Sequence, residues 1–376
     1  MKLLFIGGTG RLSKDTVARA IDKGHEVTLL TRGSGMREAF VLPEAEMVEG
    51  DIRDFQSVRA ALGNRVFDAI VDYLTFNPEQ LSGNLDLFAN RCGQYLFISS
   101  ATAYKRRDEN ELVTEGLTAL GNESWKYAYD KYCCEEMLRS YYAEHPGSFT
   151  IIRPYVTYGN TRVPYPIVPT SSLKEWTFVD RVLRGGSIPV FDGADAITTL
   201  THTRDFAKGV VGLFGNDMAL NEDFHITDDP AIRWTDVLDA IESKTGIALK
   251  RVPMSQVDLY SELPEYKSIL IGDKGSSWRF DNSKIKKAVP EFECTVSLED
   301  GVSEMVDFYN AHPHLKLIDH EWNGKIDRLC EKHGMTCLAD YSDLSAEDLK
   351  KYKEGKSALR AGIKSLGRRV KAKVKR

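Results

Sequence analysis

The run Leu3-Leu4-Phe5-Ile6-Gly7-Gly8-Thr9-Gly10-Arg11-Leu12-Ser13 decides how the rest of this 376-residue chain is read. Four apolar residues form a buried strand that passes directly into a glycine turn. Asp15–Lys23 then follows with Val17, Ala18 and Ile21 on one helical face and Gly24 placed to end it. Strand, glycine turn and helix in that order can hold a phosphate. Gly7 permits the tight turn, and Gly10 removes a side chain where backbone must approach the ligand. The helix N-terminus offers free N–H groups and a partial positive charge. The usual third glycine is replaced by Ser13, which predicts a slightly looser helix–strand contact.

Outward from this turn, short apolar runs recur at Val27–Leu30, Met47-Val48, Ala69–Val71, Tyr95–Ile98 and Phe149–Ile152. Short apolar strands separated by helices predict an α/β fold, a Rossmann-type doubly wound parallel sheet covered on both faces. Residues 1–159 make this domain, and 201–227 return to it. Residues 160–200, rich in Pro, Thr and Gly, together with 228–313 suit a smaller substrate-binding lobe. Helical periods return at Thr203–Phe214, Thr235–Thr245 and Leu298–Asn310, with strand-like pieces at Phe224–Thr227 and Leu249–Val252. Residues 314–376 form a helical C-terminal extension, with a helix opening at Leu344-Ser345-Ala346-Glu347.

The composition, 42% hydrophobic and 28% charged, is that of an ordinary globular protein. No apolar run approaches the roughly 18 residues of a membrane span, and the apolar start is too short for a signal-peptide core. The expected location is the cytoplasm. The six cysteines (Cys92, Cys133, Cys134, Cys294, Cys330 and Cys337) have no zinc-site spacing, and His333 between the last two adds none. Reduced structural thiols and no metal are expected.

Charge is unevenly placed. From Lys350 to Arg376 twelve Lys or Arg face one acid, Glu354, which leaves the rest of this −5 chain at −16. An acidic body argues against a nucleic-acid enzyme. Within the tail, Leu359, Ile363, Leu366, Val370 and Val374 recur at three- or four-residue steps between basic residues. Three readings stay open: a solvated tail, peripheral contact with an anionic inner membrane surface, or packing on a partner chain or RNA. Gly362 and Gly367 weaken the helix and favour the first.

The second strand ends in Thr31-Arg32-Gly33, with Arg37 following, where a NAD site commonly carries an acid. An arginine there suits a 2′-phosphate and favours NADP, although a solvated Arg32 stacked on adenine accepts either cofactor. Gly7, Thr9, Gly10, Arg11 and Leu12 in the turn, with Arg32, Asp51, Ile52, Tyr73 and Pro154, are the expected cofactor contacts. Ser99-Ser100 ends the fifth strand, and Tyr127 precedes Lys131 by four residues, which places both on one helical face. The lysine's charge favours the phenolate, so Tyr127 can exchange a proton with a substrate hydroxyl or carbonyl. Ser100 would hydrogen-bond the same oxygen, and Lys131 also suits the nicotinamide ribose. Thr102, Tyr155, His202 and Arg279 are the candidate substrate contacts. His202 reads better as a satisfied structural histidine, and Arg279 reads equally as a surface ion-pair partner. Tyr158 lines the pocket or packs, and Arg153 braces the sheet end.

With these motifs, residues 1 to roughly 312 resemble the extended short-chain dehydrogenase/reductase family, in the branch called NAD-dependent epimerase/dehydratase. Thr201-His202-Thr203-Arg204-Asp205-Phe206-Ala207 and Phe280-Asp281-Asn282-Ser283-Lys284-Ile285 add to the likeness. The resemblance implies catalytic Ser100, Tyr127 and Lys131, a nucleotide-linked sugar as substrate, and a homodimer through helices near Tyr127. Family 4,6-dehydratases carry an acidic pair where this chain has Ala101-Thr102, and decarboxylases keep a glutamate there. Epimerisation or carbonyl reduction therefore remains. Ser13 and the bulky Asp72-Tyr73-Leu74-Thr75-Phe76 mark an atypical branch. Two other readings stand beside this one: a non-catalytic protein of NAD(P)-binding fold that holds RNA or a partner, and a reductase of a small apolar carbonyl.

Overall fold

In the computed structural model, residues 1–32, 42–105, 108–335 and 339–357 are described. Strand β1 (Lys2–Ile6) lies in mid-sheet, and Leu3 to Ile6 are fully buried. It pairs in parallel with β2 (Glu26–Thr31) on one side and β4 (Phe67–Asp72) on the other. With β3 (Glu46–Glu49), β5 (Cys92–Ile98), β6 (Ser148–Pro154) and β7 (Glu222–Ile226), the seven parallel strands run in the order β7-β6-β5-β4-β1-β2-β3. The strand-like run at Phe224–Thr227 is thus the seventh strand of the main sheet.

Alternate residues of each strand feed opposite faces. Leu3, Phe5, Leu29 and Val71 pack with Val17 of α1 (Lys14–Asp22) and Phe206 of α5 (Thr203–Gly212). Leu4, Ile6, Leu30 and Ile70 pack on the other face with α2 (Phe55–Leu62), α3 (Pro78–Phe88) and α4 (Lys126–Glu144). Burial on both faces explains why these strands read as continuous apolar runs. Local signals start the helices. Asp54 accepts from Ser57 N at 3.2 Å, and Asn77 accepts from Gln80 N at 3.0 Å with Pro78 in the first helical turn.

The chain forms two units. The first holds Met1–Gly159, Ile197–Ile232 and Ile271–Ser297; the second holds Asn160–Ala196, Arg233–Leu270 and the described residues from Leu298 on. Residues 271–297 and the stretch 160–200 differ from the sequence expectation. Residues 271–297 join the sheet unit, because Arg279–Phe280 pairs in parallel with Leu112–Val113. Residues 160–200 are more than loops: they contain the helix Trp176–Leu183 and the strand Ser187–Phe191, which pairs with Lys250–Met254.

The chain past His314 is no free extension up to Ser357. The helix His320–Lys332 packs on Ala346–Lys356 so closely that Gly324 and Gly355 each face the other helix's backbone with no room for a Cβ. Arg181 and Asp327, both fully buried, form an ion pair beneath them. Ser345 caps the second helix by accepting from Asp348 N, where the sequence placed its start. The apolar stripe from Leu359 to Val374, with Gly33, Arg37 and Cys337, lies outside the described residues. No described helix is long and apolar enough to cross a membrane, and no described cluster of His, Cys, Asp and Glu could hold a metal.

Candidate functional site

A cavity of about 540 Å³ opens at the C-terminal ends of β1 to β4, where Gly7, Thr9, Gly10, Arg32, Asp51 and Ile52 line it. Gly7 has φ +91°, a left-handed conformation that disfavours any Cβ, and an added Cβ would also lie 2.6 Å from Leu74 Cγ. Its N–H donates to Leu30 O at 3.1 Å. Ser13, at the place of the usual third glycine, closes the turn. Its Oγ donates to Gly7 O at 2.8 Å and accepts from Gly10 N at 2.9 Å, so the hydroxyl ties both ends of the turn together. Gly8 provides the close helix–strand contact instead: a Cβ there would meet Leu29 Cδ2 at 2.5 Å and Val17 Cγ2 at 3.1 Å.

Arg32 is exposed on the cavity wall. Asp51 accepts from Arg53 N at 3.1 Å and from Arg53 Nε at 2.9 Å. These hydrogen bonds, and less so the charges of Arg53 and Arg32, hold its carboxyl well below the usual carboxylate range. Four expected cofactor contacts do not line this cavity. Arg11 and Leu12 stand beyond it, with Leu12 packed on the core. Tyr73 points into the core: its ring stacks on Phe5 at 6.4 Å, and its hydroxyl donates to Thr16 at 3.0 Å. Pro154 sits in β6, opposite Ile226. The wall instead includes Arg53, Phe55, Leu74 and Phe76. Asp72 shapes that segment: its buried carboxylate accepts from Leu74 N, Thr75 N and Thr75 Oγ1, and from Asn84 Nδ2 and the Tyr95 hydroxyl. An acid closing an apolar strand, followed by Thr75, was the available signal for it.

Lys131 lies outside the cavity as well. It is buried, and its Nζ donates to Thr75 O and to Ile98 O, each at 2.6 Å. The ammonium stands 4.9 Å from the Phe76 ring, 4.8 Å from Phe97 and 6.0 Å from Tyr127. Burial lowers its pKa to about 8, while the negative charges of Asp72 and, less so, Glu135 pull it back up. Tyr127, one helical turn earlier, is half-buried with its ring 5.0 Å from Trp125. Ser100 follows two residues after the carbonyl that Lys131 grips. Its Oγ is 2.8 Å from Thr102 Oγ1 and caps the turn Ala101–Ala103, which lies against α4.

Behind this trio lies a buried ionic cluster that the sequence showed only as Arg153 bracing the sheet. Arg153 donates to both oxygens of Glu135, to Asp223 and to the Tyr104 hydroxyl. Tyr104 also meets His225 Nδ1 at 3.2 Å, and His225 N donates to Glu115. Burial pushes Glu115 up to about 7 and His225 down to about 4.

The substrate candidates are dispersed. Thr102 stays with Ser100, and Asn122 Nδ2 joins its carbonyl to Gly272 O. Tyr155 packs between Trp278 and Phe280, with Lys274 Nζ 4.0 Å from its ring. Buried Lys274 pairs with buried Asp273, neither of which drew notice in the sequence. His202 caps α5, accepting from Arg204 N at 3.2 Å, and stands edge-on to Tyr158. Arg279 is exposed in its short strand.

A family model described as the NAD dependent epimerase/dehydratase family matches residues 3–226. The chloroplast stem-loop binding protein of 41 kDa b of Arabidopsis thaliana is 26% identical over 261 residues, covering 65% of this chain and 63% of that protein. The chain thus spans under two thirds of that relative's length. The UDP-glucose 4-epimerase of Corynebacterium glutamicum is 25% identical over 277 residues, covering 65% of this chain and 81% of the relative. Among solved structures, UDP-glucose 4-epimerase from Bifidobacterium longum, in complex with NAD+ and UDP, aligns with a TM-score of 0.64 at 16% identity over 84% of this chain and 100% of that one. That likeness speaks for the fold. The family model spans more than half of the chain, and with it the chain belongs to the NAD-dependent epimerase/dehydratase family.

Proposed function

We propose that this chain is an NAD(P)-dependent enzyme that epimerises, or reduces, a nucleotide-linked sugar or related polyol. The observation that carries the reading is the buried Lys131 ammonium beside Tyr127, on the helix that packs against the Ser100 turn. The residues present fit a dinucleotide: a left-handed Gly7, a turn tied by Ser13, and a cavity whose far wall carries Arg32 and Asp51. Gly7, Thr9 and Gly10 would hold the pyrophosphate, and Asp51 and Ile52 would flank the adenine. Arg32, with Arg53 also lining the cavity, favours a 2′-phosphate and hence NADP. When bound, the nicotinamide supplies hydride exchange at a carbinol carbon.

The chain's own groups do the rest. Tyr127 moves the proton of the reacting hydroxyl, Lys131 eases that transfer through its charge, and Ser100 holds the oxygen in line. Ala101 and Thr102 supply no acid for an elimination step. The test is turnover by the purified full chain: UDP-glucose, UDP-galactose and other nucleotide sugars with NAD+ or NADP+ for epimerisation, and nucleotide-linked keto sugars with NADH or NADPH for reduction. Epimerisation predicts a cofactor that survives gel filtration, and reduction predicts its stoichiometric use. No turnover on any of them would overturn the reading.

The reading extends to a homodimer through helices near Tyr127, checked by sedimentation, and to contact of residues 350–376 with an anionic membrane surface. The latter predicts salt-sensitive binding to anionic vesicles, and binding that persists after deletion of those residues contradicts it. A second reading rests on the stem-loop-binding relative: retention of a structured RNA that survives physiological salt, without sugar turnover, would favour it.

A further inference from the structure

Helix α4 presents Tyr127, Lys131 and Glu135 at four-residue steps, so all three lie along one face. Successive residues of one strand end anchor the last two. Lys131 Nζ donates to Ile98 O at 2.6 Å, and Ser99 Oγ donates to Glu135 Oε1 at 2.5 Å. Ser100 comes next. Ser99 N also donates to Ile152 O at 2.7 Å, so this strand end is held from both sides. Glu135 is itself fixed from β6: Arg153 Nε reaches Oε1 at 2.9 Å and Nη2 reaches Oε2 at 2.6 Å, with both side chains fully buried. An ion pair that only braced the sheet would have no need of Ser99.

We propose that Glu135 is a positioning residue for the Tyr127–Lys131–Ser100 chemistry, fixing the helix face that bears Tyr127 against the strand end that bears Ser100 and supporting the charge of Lys131. This inference rests on the function proposed above. The ionisable groups around Lys131 are Asp72 from β4, Cys134 and Glu135 from its own helix, and Tyr127; the rings of Phe76 and Phe97 cover it. Asp72 is engaged by the Tyr95 hydroxyl, and Glu135 by Arg153. Removing the Glu135 charge takes away one of the two carboxylates that favour the ammonium and leaves the Arg153 cation less balanced. Both changes lower the pH at which Lys131 loses its proton.

The experiment compares wild type, Glu135→Gln and Ser99→Ala as full-length chains, using UDP-galactose conversion and thermal shift with whichever of NAD+ and NADP+ supports wild-type turnover. Glu135→Gln is expected to lower kcat about tenfold or more, because a small misplacement of a reacting group costs that much. KM and the cofactor shift stay as in wild type, and the alkaline limb of the pH–rate profile moves to lower pH than in wild type. Ser99→Ala keeps the Arg153 pair and lowers kcat severalfold with no movement of the limb; should Glu135→Gln fail to fold, an unchanged kcat in Ser99→Ala overturns the inference. Full kcat and an unmoved limb in Glu135→Gln overturn it as well, while wild-type turnover keeps the functional reading standing. Absence of wild-type turnover removes both.

Discussion

The glycine turn between β1 and α1 and the charged cluster between β5, β6 and α4 hold the two ends of one candidate site by opposite means. The turn is made of backbone from neighbouring residues, locked by the single hydroxyl of Ser13. The cluster is made of buried side chains far apart in sequence: Glu135, Arg153 and Asp223, with Tyr104 and His225. A backbone site fails when a side chain is added. A buried ionic site fails when one is removed, because the remaining charges lose their partners. The contrast separates a turn built from local backbone from a cluster built from distant buried side chains.

The strongest way to break the comparison is Arg153→Met. It leaves Glu135 and Asp223 buried without their shared cation, and unfolding in urea should show a loss of about 3–5 kcal/mol. A loss below about 1 kcal/mol would mean the cluster is not held by charge. Gly7→Val acts on the other end. The left-handed conformation costs a non-glycine residue about 1–2 kcal/mol, before the clash with Leu74. Cofactor affinity should fall at least about tenfold by titration, with secondary structure intact by circular dichroism; wild-type affinity would remove the turn from the site.

Smaller effects sharpen the contrast. Glu115, pushed up to about 7 by burial, has a folded-state pKa above its unfolded value. Its contribution to stability is therefore present below about pH 4.5 and is lost as pH rises through 7. Glu115→Gln should exceed wild type in stability at pH 8 by about 1–2 kcal/mol and match it near pH 4.5; a gap independent of pH would contradict this origin. Ser13→Gly restores the usual third glycine yet removes two hydrogen bonds, so thermal unfolding should show a loss of about 1 kcal/mol rather than a gain.

What was legible in the sequence follows the same division. Strands β1, β2, β4, β5 and β6 showed as apolar runs because burial on both faces demands them, whereas edge strand β3 buries only Val48; Gly7, Tyr127 and Lys131 showed because their spacing is local. Ser13 is visible in the sequence as a missing third glycine, and the bonds its hydroxyl makes to Gly7 O and Gly10 N are not. Tyr73 looked like a cofactor contact from its place after β4, and only packing against Phe5 and Thr16 shows that it faces the core. Leu74, Phe76 and Arg53 reach the cavity through turns shaped by Asp72 and Asp51. The partners of Arg153 lie 18 and 70 residues away, and no periodicity encodes such pairings. The C-terminal helices read as an appendage because the pairing that ties them to the rest of the chain, Arg181 with Asp327, spans 146 residues.

The most direct test is Tyr127→Phe, assayed for nucleotide-sugar turnover and, in the same sample, for cofactor binding by thermal shift. Loss of a positioned proton-transfer group predicts turnover lower by about 10²-fold or more with the cofactor shift unchanged. Wild-type turnover in this variant would contradict the assignment of the reaction to Tyr127, Lys131 and Ser100.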